Sequence, residues 1–192
     1  LMDKWGRLNE GDEVDVPEDM TRLTLDTIAL CGFGYRFNSF YRDTPHPFVQ
    51  AMVRTLSESQ ARARQLPIQT RLKVRAQRQV EEDQGFMNDL VDRLVAERRA
   101  QGEAGDTTDL LGRMLTGVDR QTGEGLPDAN IRAQCITFLI AGHETTSGLL
   151  SFALYYLLKN PAVLQRARAE VDEVLGDTAG PTFEQVHRLT YV

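Results

Sequence analysis

The run 141–148, AGHETTSG, holds the residues with the clearest capacity for chemistry, because it sets an acid, hydroxyl groups and two glycines inside an apolar stretch. A positioned acid beside an alcohol can pass a proton to a reacting group. The hydroxyl of Thr145 can also donate to the carbonyl of Ala141, four residues back, and loosen the helical hydrogen bonds there. Since such groups weaken a buried helix, the run is expected to form a groove with a use, such as a site for a ligand.

If the run is helical, its chemical groups lie on one face. A period of 3.6 residues assigns to this face Thr137, Phe138, Ala141, Glu144, Thr145 and Gly148. Its small residues let a flat ligand approach the backbone, and the acid–alcohol pair stands beside them. The alternative interpretation is a kinked helix whose threonine hydroxyls are satisfied by backbone carbonyls.

Side-chain metal chemistry is not predicted. His143-Glu144 begins like the zinc motif H-E-x-x-H, but position 147 is serine, so the second histidine ligand is missing. His143 points away from the chemical face and is expected to be a packing or solvent residue. His46 and His187 have no partner cluster, and Cys135 is expected to be a small core residue.

The composition is that of one globular domain. Its 192 residues are 41% hydrophobic and 26% charged, and the formal net charge of −6 does not favour nucleic-acid binding. The longest apolar stretch, 135–158, contains the polar run 141–148, so a buried helix is expected rather than a transmembrane segment. Cys31 and Cys135 form no C-x-x-C pair and indicate a reduced, cytoplasmic protein.

The elements that must position the site are helices, because apolar residues recur with the helical period almost throughout. The sequence predicts an all-α fold, with a short opening segment over 1–8 and one very short strand over 13–16. Helices are expected from about Pro17 to the glycines at 32 and 34, from Pro47 to near Pro67, from Leu72 to Ala100, from Asp109 to Leu115, from Asp128 to Lys159, from Pro161 to Gly176 and from Thr182 onward.

The same spacing predicts which faces are buried and where helices begin. Met20, Leu23, Thr27 and Leu30 continue the helix after Pro17 at helical spacing. The long charged helix is expected to carry an apolar stripe of Phe86, Met87, Leu90, Val91 and Leu94. Asp128 and Asn160 are expected to cap the helices that follow them, and 182–185, TFEQ, fits a capping box.

Residues 141–146 resemble the [AG]-G-x-[DE]-T-[TS] signature on the long distal helix of the cytochrome P450 family. The runs 19–27 (DMTRLTLDT) and 37–43 (FNSFYRD), and 136–140 (ITFLI) leading into the signature, resemble the self-sufficient bacterial fatty-acid hydroxylases. In that subfamily a P450 domain is fused to a flavin reductase. The resemblance covers essentially the whole chain.

The resemblance implies a haem-thiolate monooxygenase that inserts one oxygen atom of O2 into an unactivated C–H bond, here of a fatty acid. The implied cofactor is haem b, with electrons from NADPH through the FAD and FMN of a fused reductase. Glu144 and Thr145 would be the catalytic acid and alcohol that relay protons during oxygen activation. A P450-like lyase or isomerase would be expected to lack this pair.

The resemblance also assigns binding roles by position. Ala141, Gly142, Thr145 and Phe138 would contact the haem. Ile140, Ala141 and Leu56 would line an apolar substrate channel. The basic run over 62–78 is interpreted either as a solvated face or as a region that attracts an anionic substrate near the channel mouth.

The motif that supplies the haem thiolate, F-x-x-G-x-x-x-C-x-G, fits neither Cys31 nor Cys135, and no Glu-x-x-Arg occurs. Residues 1–192 are therefore expected to be the central part of a P450 haem domain, without its N-terminal part, its Glu-x-x-Arg helix or its cysteine loop. No residue of the chain is expected to bind the iron, and the chain alone is expected to be inactive. The alternative is a catalytically inactive helical interaction module, which haem binding by the complete gene product would exclude.

Overall fold

The computed structural model describes residues 1–63, 74–102, 107–176 and 180–192, and its elements are helices. They are α1 (Met2–Trp5), α2 (Val16–Phe33), α3 (Pro47–Ala63), α4 (Val74–Ala100), α5 (Leu110–Thr116), α6 (Asp128–Lys159), α7 (Pro161–Leu175) and α8 (Phe183–Arg188). A 3₁₀ turn covers Ser39–Tyr41, and Val118 pairs with Gly125 in an isolated antiparallel bridge. The chain divides into two compact units, 1–147 and 148–192.

The all-α prediction is confirmed for the described residues. The strand expected over 13–16 is wrong, because Val16 is already the first residue of α2 and Asp15 is its cap: the Asp15 carboxylate accepts from the Glu18 N–H at 3.0 Å. The predicted helix boundaries near Pro67 and Leu72 lie outside the described residues, as does most of the basic run over 62–78. Among the described helices, none has the length and apolar character that a membrane span requires.

Helix α2 ends at Gly34 alone, since Gly32 lies within the helix. Gly34 adopts φ 65°, a left-handed conformation that glycine takes without strain, and its N–H donates to the Leu30 carbonyl. The Tyr35 N–H donates to the Ala29 carbonyl in the same turn. A Cβ at position 34 would also lie 2.8 Å from a guanidinium nitrogen of Arg98, so glycine is needed there for two reasons.

The buried face of α2 includes two polar side chains. Thr27 and Leu30 are exposed, whereas Asp19 and Thr24 are buried. Asp19 tolerates burial because it accepts hydrogen bonds from the Lys4 ammonium and, at 2.7 Å, from the Trp5 indole N–H. Burial raises the pKa of Asp19, but these two hydrogen bonds and the positive charges of Lys4 and Arg22 together lower it by more, so the net pKa lies below the ordinary value.

The core of the first unit forms where α2, α3, α4, α5 and α6 meet. Its largest fully buried apolar side chains are Leu25, Phe37, Phe48, Met52, Val91, Leu111, Ile131 and Leu139. On α4 the predicted stripe is confirmed at Met87, Leu90 and Val91, but Phe86 is exposed. Asp83 takes a place on the buried side of α4, because the Arg54 guanidinium of α3 binds its carboxylate at 2.6 and 2.8 Å.

A buried ion pair joins three helices of this unit. The guanidinium of Arg98, near the end of α4, donates to both carboxylate oxygens of Asp109 at 2.7 Å. It also donates to the Phe33 carbonyl at the end of α2, at 3.1 Å. Asp109 in turn caps α5 by accepting from the Gly112 N–H at 2.7 Å. The pair, with its arginine on α4, therefore satisfies a carbonyl at the end of α2 and an N–H at the start of α5.

His46 has a structural role at the start of α3. Its Nδ1 accepts from the Phe48 N–H at 3.1 Å, and its ring lies against Phe37 with centroids 4.8 Å apart. Burial lowers the pKa of His46, so the neutral ring that this acceptor role requires is favoured. No catalytic partner was predicted for His46, and this contact agrees with a packing role.

Three caps were predicted with different success. Asn160 holds the N-cap position of α7, but its side chain makes no capping hydrogen bond. Asp128 is not a cap: the carbonyl of Pro127 accepts the first N–H bonds of α6, while the Asp128 carboxylate binds Arg99 at 2.6 and 2.9 Å. In the second unit the capping box of α8 is confirmed. The Thr182 hydroxyl accepts from the Gln185 N–H at 3.2 Å, and the Gln185 side chain accepts from the Thr182 N–H at 2.9 Å.

Candidate active site

Helix α6 carries the predicted site. Its buried residues recur every fourth position in the first unit, at Ile131, Cys135, Leu139, His143 and Ser147. The exposed residues on other faces include Thr137, Phe138, Ala141, Glu144 and Thr145. The structure thus separates a stripe that packs against the core from an open face with the acid, the hydroxyl groups and a small residue. Thr146 is exposed as well.

Thr145 makes the hydrogen bond that the sequence predicted. Its Oγ1 donates to the Ala141 carbonyl at 2.7 Å, and Thr137 repeats the pattern with the Ala133 carbonyl at 2.8 Å. Helix α6 nevertheless stays α-helical from Asp128 to Lys159, so the extra bond does not break the helix. Since the proton of Thr145 is directed at the backbone, the remaining lone pairs of Oγ1 can accept a proton or a hydrogen bond on the open face.

His143 is a packing residue, which decides between the two predicted roles. It is 3% exposed, and its Nδ1 lies 2.9 Å from the Leu139 carbonyl and 3.1 Å from the Ile140 carbonyl. Both neighbours are acceptors, so Nδ1 carries the proton. The ring is directed away from the face of Glu144 and Thr145 and belongs to the buried stripe.

Helix α2 contacts the signature from the buried side, through two residues that sequence reasoning did not assign to the site. The Thr24 hydroxyl lies 3.0 Å from the His143 carbonyl, across 119 residues of sequence. One turn further along α2, Ile28 lies against Gly142: a Cβ there would be 2.9 Å from Ile28 Cγ1. No local pattern could reveal either contact, because the partners lie on separate helices. Gly142 therefore has a packing reason to be glycine.

Gly142→Ala is expected to destabilise the protein, because the added methyl group would overlap Ile28. Overpacking of this kind costs about 1–3 kcal/mol, which exceeds the ~0.5–1 kcal/mol that alanine gains over glycine within a helix. Thermal or urea unfolding of the full-length protein measures the difference.

Gly85→Ala is the matched control, since Gly85 lies within α4 and a Cβ there would have no described neighbour within 4 Å. It should be neutral or slightly stabilising. Ile28→Ala removes the atom that causes the overlap, so the double variant Gly142→Ala/Ile28→Ala should be more stable than the sum of the two single changes implies. Equal effects of Gly142→Ala and Gly85→Ala would contradict the contact.

The cysteines offer no thiolate to the open face. Cys135 is buried in the core as predicted, and burial raises the pKa of its thiol to about 11, so it stays protonated near neutral pH. Cys31 is exposed on α2, and neither cysteine is in a disulfide. Within the described ranges, no cluster of His, Cys, Asp and Glu side chains is arranged to bind a metal ion.

The predicted substrate-lining residues are placed differently from one another. Ile140 lies on α6, two residues after the exposed Phe138. It is half-buried and in contact with the core. Leu56 lies on α3, is also half-buried and packs against the same core. The structure therefore brings Phe138, Ala141 and Thr145 to one helix face, whereas Leu56 belongs to a different helix.

Comparison with known proteins gives a consistent result over the full chain. The family model described as Cytochrome P450 matches residues 1–192. The bifunctional cytochrome P450/NADPH–P450 reductase 1 of Bacillus subtilis (strain 168) is 60% identical over 192 residues, which is 100% of this chain and 18% of that protein. The corresponding bifunctional protein of Bacillus cereus is 58% identical over the same 192 residues, again 18% of its length.

A fungal relative extends the comparison. A self-sufficient cytochrome P450 monooxygenase of Phanerodontia chrysosporium is 53% identical over 177 residues, which cover 92% of this chain and 17% of that protein. The chain thus spans less than a fifth of the length of the curated relatives it matches.

Proposed function

Because this chain belongs to the cytochrome P450 family, we propose that its full-length protein is a haem-thiolate monooxygenase that hydroxylates fatty acids. The balanced reaction is RH + O2 + NADPH + H⁺ → ROH + H2O + NADP⁺. The observation that carries the proposal is the open face of α6, where Glu144 and Thr145 stand beside Ala141 and Phe138.

The open face fits one side of a haem. Ala141 is small and exposed, so a flat ligand can approach the helix backbone there, and the exposed ring of Phe138 offers an apolar edge one turn earlier. When bound, haem b supplies the oxygen activation and C–H insertion chemistry. Neither Cys31 nor Cys135 lies in the motif that supplies the haem thiolate, so we propose that another cysteine of the full-length protein would bind the iron.

The chain's own contribution is the control of protons. Thr145 Oγ1 is held by its bond to the Ala141 carbonyl at 2.7 Å, which fixes where its lone pairs accept a water molecule or a proton. The carboxyl group of Glu144, the preceding residue, is exposed and is proposed to be the acid of the relay beside that water. Gly142 would approach the haem through its backbone, while its Cα side packs on Ile28.

The proposed substrate class is the one that the family resemblance implies, and the proposed electron supply is supported by the relatives. Ile140, Ala141 and Leu56 are proposed to line the apolar channel for the fatty-acid chain. The names of the bacterial relatives join a P450 to an NADPH–P450 reductase, which supports a fused reductase with FAD and FMN as the electron source. The cytoplasm is the proposed location, supported by two cysteines that form no disulfide.

The test uses the full-length protein expressed from its gene. We expect a reduced-CO spectrum of the thiolate-ligated type, NADPH consumption that rises when saturated fatty acids are added, and one ¹⁸O atom per hydroxylated product under ¹⁸O2. A protein that binds no haem would support the inactive helical module instead. Haem binding without ¹⁸O in the product would show that the protein is not a monooxygenase.

A further inference from the structure

Helix α2 contacts α6 through a hydrogen bond from Thr24, on the side of α6 opposite to the acid–alcohol pair. Thr24 is 5% exposed, and its Oγ1 lies 3.0 Å from the His143 carbonyl and 2.9 Å from the Met20 carbonyl of its own helix. Its single proton is therefore shared between α2 and α6. Threonine hydroxyls elsewhere on α2 differ: Thr27 is exposed and donates to the Leu23 carbonyl at 2.7 Å.

The hydrogen bond from Thr24 ends on a backbone carbonyl within the signature run 141–146. The His143 carbonyl belongs to the peptide group that joins His143 to Glu144. The orientation of this carbonyl therefore fixes the peptide plane that precedes the backbone of Glu144 and Thr145. In a helix this carbonyl also accepts from the N–H of Ser147, so the Thr24 hydroxyl is a second donor to it. Ile28 holds Gly142 one residue earlier, with its Cγ1 2.9 Å from the position of an added Cβ. Two consecutive signature residues are thus fixed by side chains one turn apart on α2.

We propose that Thr24 is a positioning residue for the reaction: its hydroxyl orients the His143–Glu144 peptide group, and through it the Glu144 carboxyl and the Thr145 hydroxyl on the opposite side of α6. The inference rests on the proposed monooxygenase function. The proposed effect of Thr24 is on the efficiency of proton delivery to the reacting group. Thr24 itself is not proposed to contact substrate or cofactor.

Three variants of the full-length protein test the role. Thr24→Val keeps the shape of the side chain and removes the hydroxyl, Thr24→Ser keeps the hydroxyl, and Thr27→Val removes an intrahelical bond without touching α6. Thr24→Val should release about two- to tenfold more hydrogen peroxide per NADPH, the size expected for one lost hydrogen bond. Thr24→Ser and Thr27→Val should stay near the wild type. Thr24→Ala, a stronger helix former, replaces the valine variant if that protein does not fold.

A second readout needs no turnover. Amide hydrogen exchange of the peptide covering 141–148 should become about two- to tenfold faster in Thr24→Val and remain unchanged in Thr27→Val. Wild-type coupling and wild-type exchange in Thr24→Val would overturn the inference, as would equal losses in Thr27→Val or no recovery in Thr24→Ser. A wild-type protein that forms no oxygenated product would refute the proposed function, whereas the exchange result would still report on the Thr24 contact.

Discussion

Thr145→Ala in the full-length protein is expected to consume NADPH while losing most of its hydroxylated product. A positioned proton donor contributes roughly 100- to 10,000-fold to a proton-transfer step. Without the hydroxyl, electrons are diverted by the balanced reaction O2 + NADPH + H⁺ → H2O2 + NADP⁺. Thr145 is exposed, and alanine favours a helix more than threonine does, so folding and binding should be nearly unchanged. The measurement is product and peroxide formed per NADPH.

Thr146→Ala is the control for this prediction, because the next residue on α6 is also exposed and differs in direction by about 100°. It should retain most of the coupling between NADPH and product. If Thr145→Ala kept full coupling while Thr146→Ala lost it, Thr146 would be the alcohol and the open face would be assigned to the wrong hydroxyl.

Arg98→Ala is expected to cost about 3–5 kcal/mol of folding free energy. The Arg98 and Asp109 side chains are 10% and 7% exposed, so removal of the guanidinium leaves a buried carboxylate without its counter-charge and the Phe33 carbonyl without this donor. Asp109→Asn should also destabilise the protein, because the neutral amide does not balance the charge of Arg98. The amide can still cap α5, so this bond should be kept. Urea unfolding of the full-length protein, followed by the helical circular dichroism signal, measures both.

The neighbouring residue provides a close control. Arg99 binds Asp128 with the same two-point geometry, at 2.6 and 2.9 Å, but these side chains are 50% and 59% exposed. Water screens such a pair, so Arg99→Ala should cost only about 0–1 kcal/mol. Similar losses in the two variants would show that burial is not what makes the Arg98–Asp109 pair important.

The local features of this protein were determined by the sequence. The helical period gave the number and approximate bounds of the described helices, and the capping box at Thr182 was correct because all its atoms lie within four residues. The bond from Thr145 to the Ala141 carbonyl was predictable for the same reason, since a helix places residues i and i+4 together. The acid–alcohol pair was recognised from residue types alone, although its role in turnover is still a prediction.

Only the tertiary structure decided which polar groups are buried. On α2, Thr27 and Leu30 follow the helical spacing but are exposed, whereas Asp19 and Thr24 are buried. Burial of these two polar side chains is possible because Lys4, Trp5 and the His143 carbonyl satisfy their hydrogen-bonding groups. Burying a polar group is costly unless it has a partner, and these partners come from other elements of the chain. The same holds for the Arg98–Asp109 pair and for the contact between Gly142 and Ile28. A sequence pattern reports interactions over a few residues, whereas such burial depends on atoms that only folding brings together.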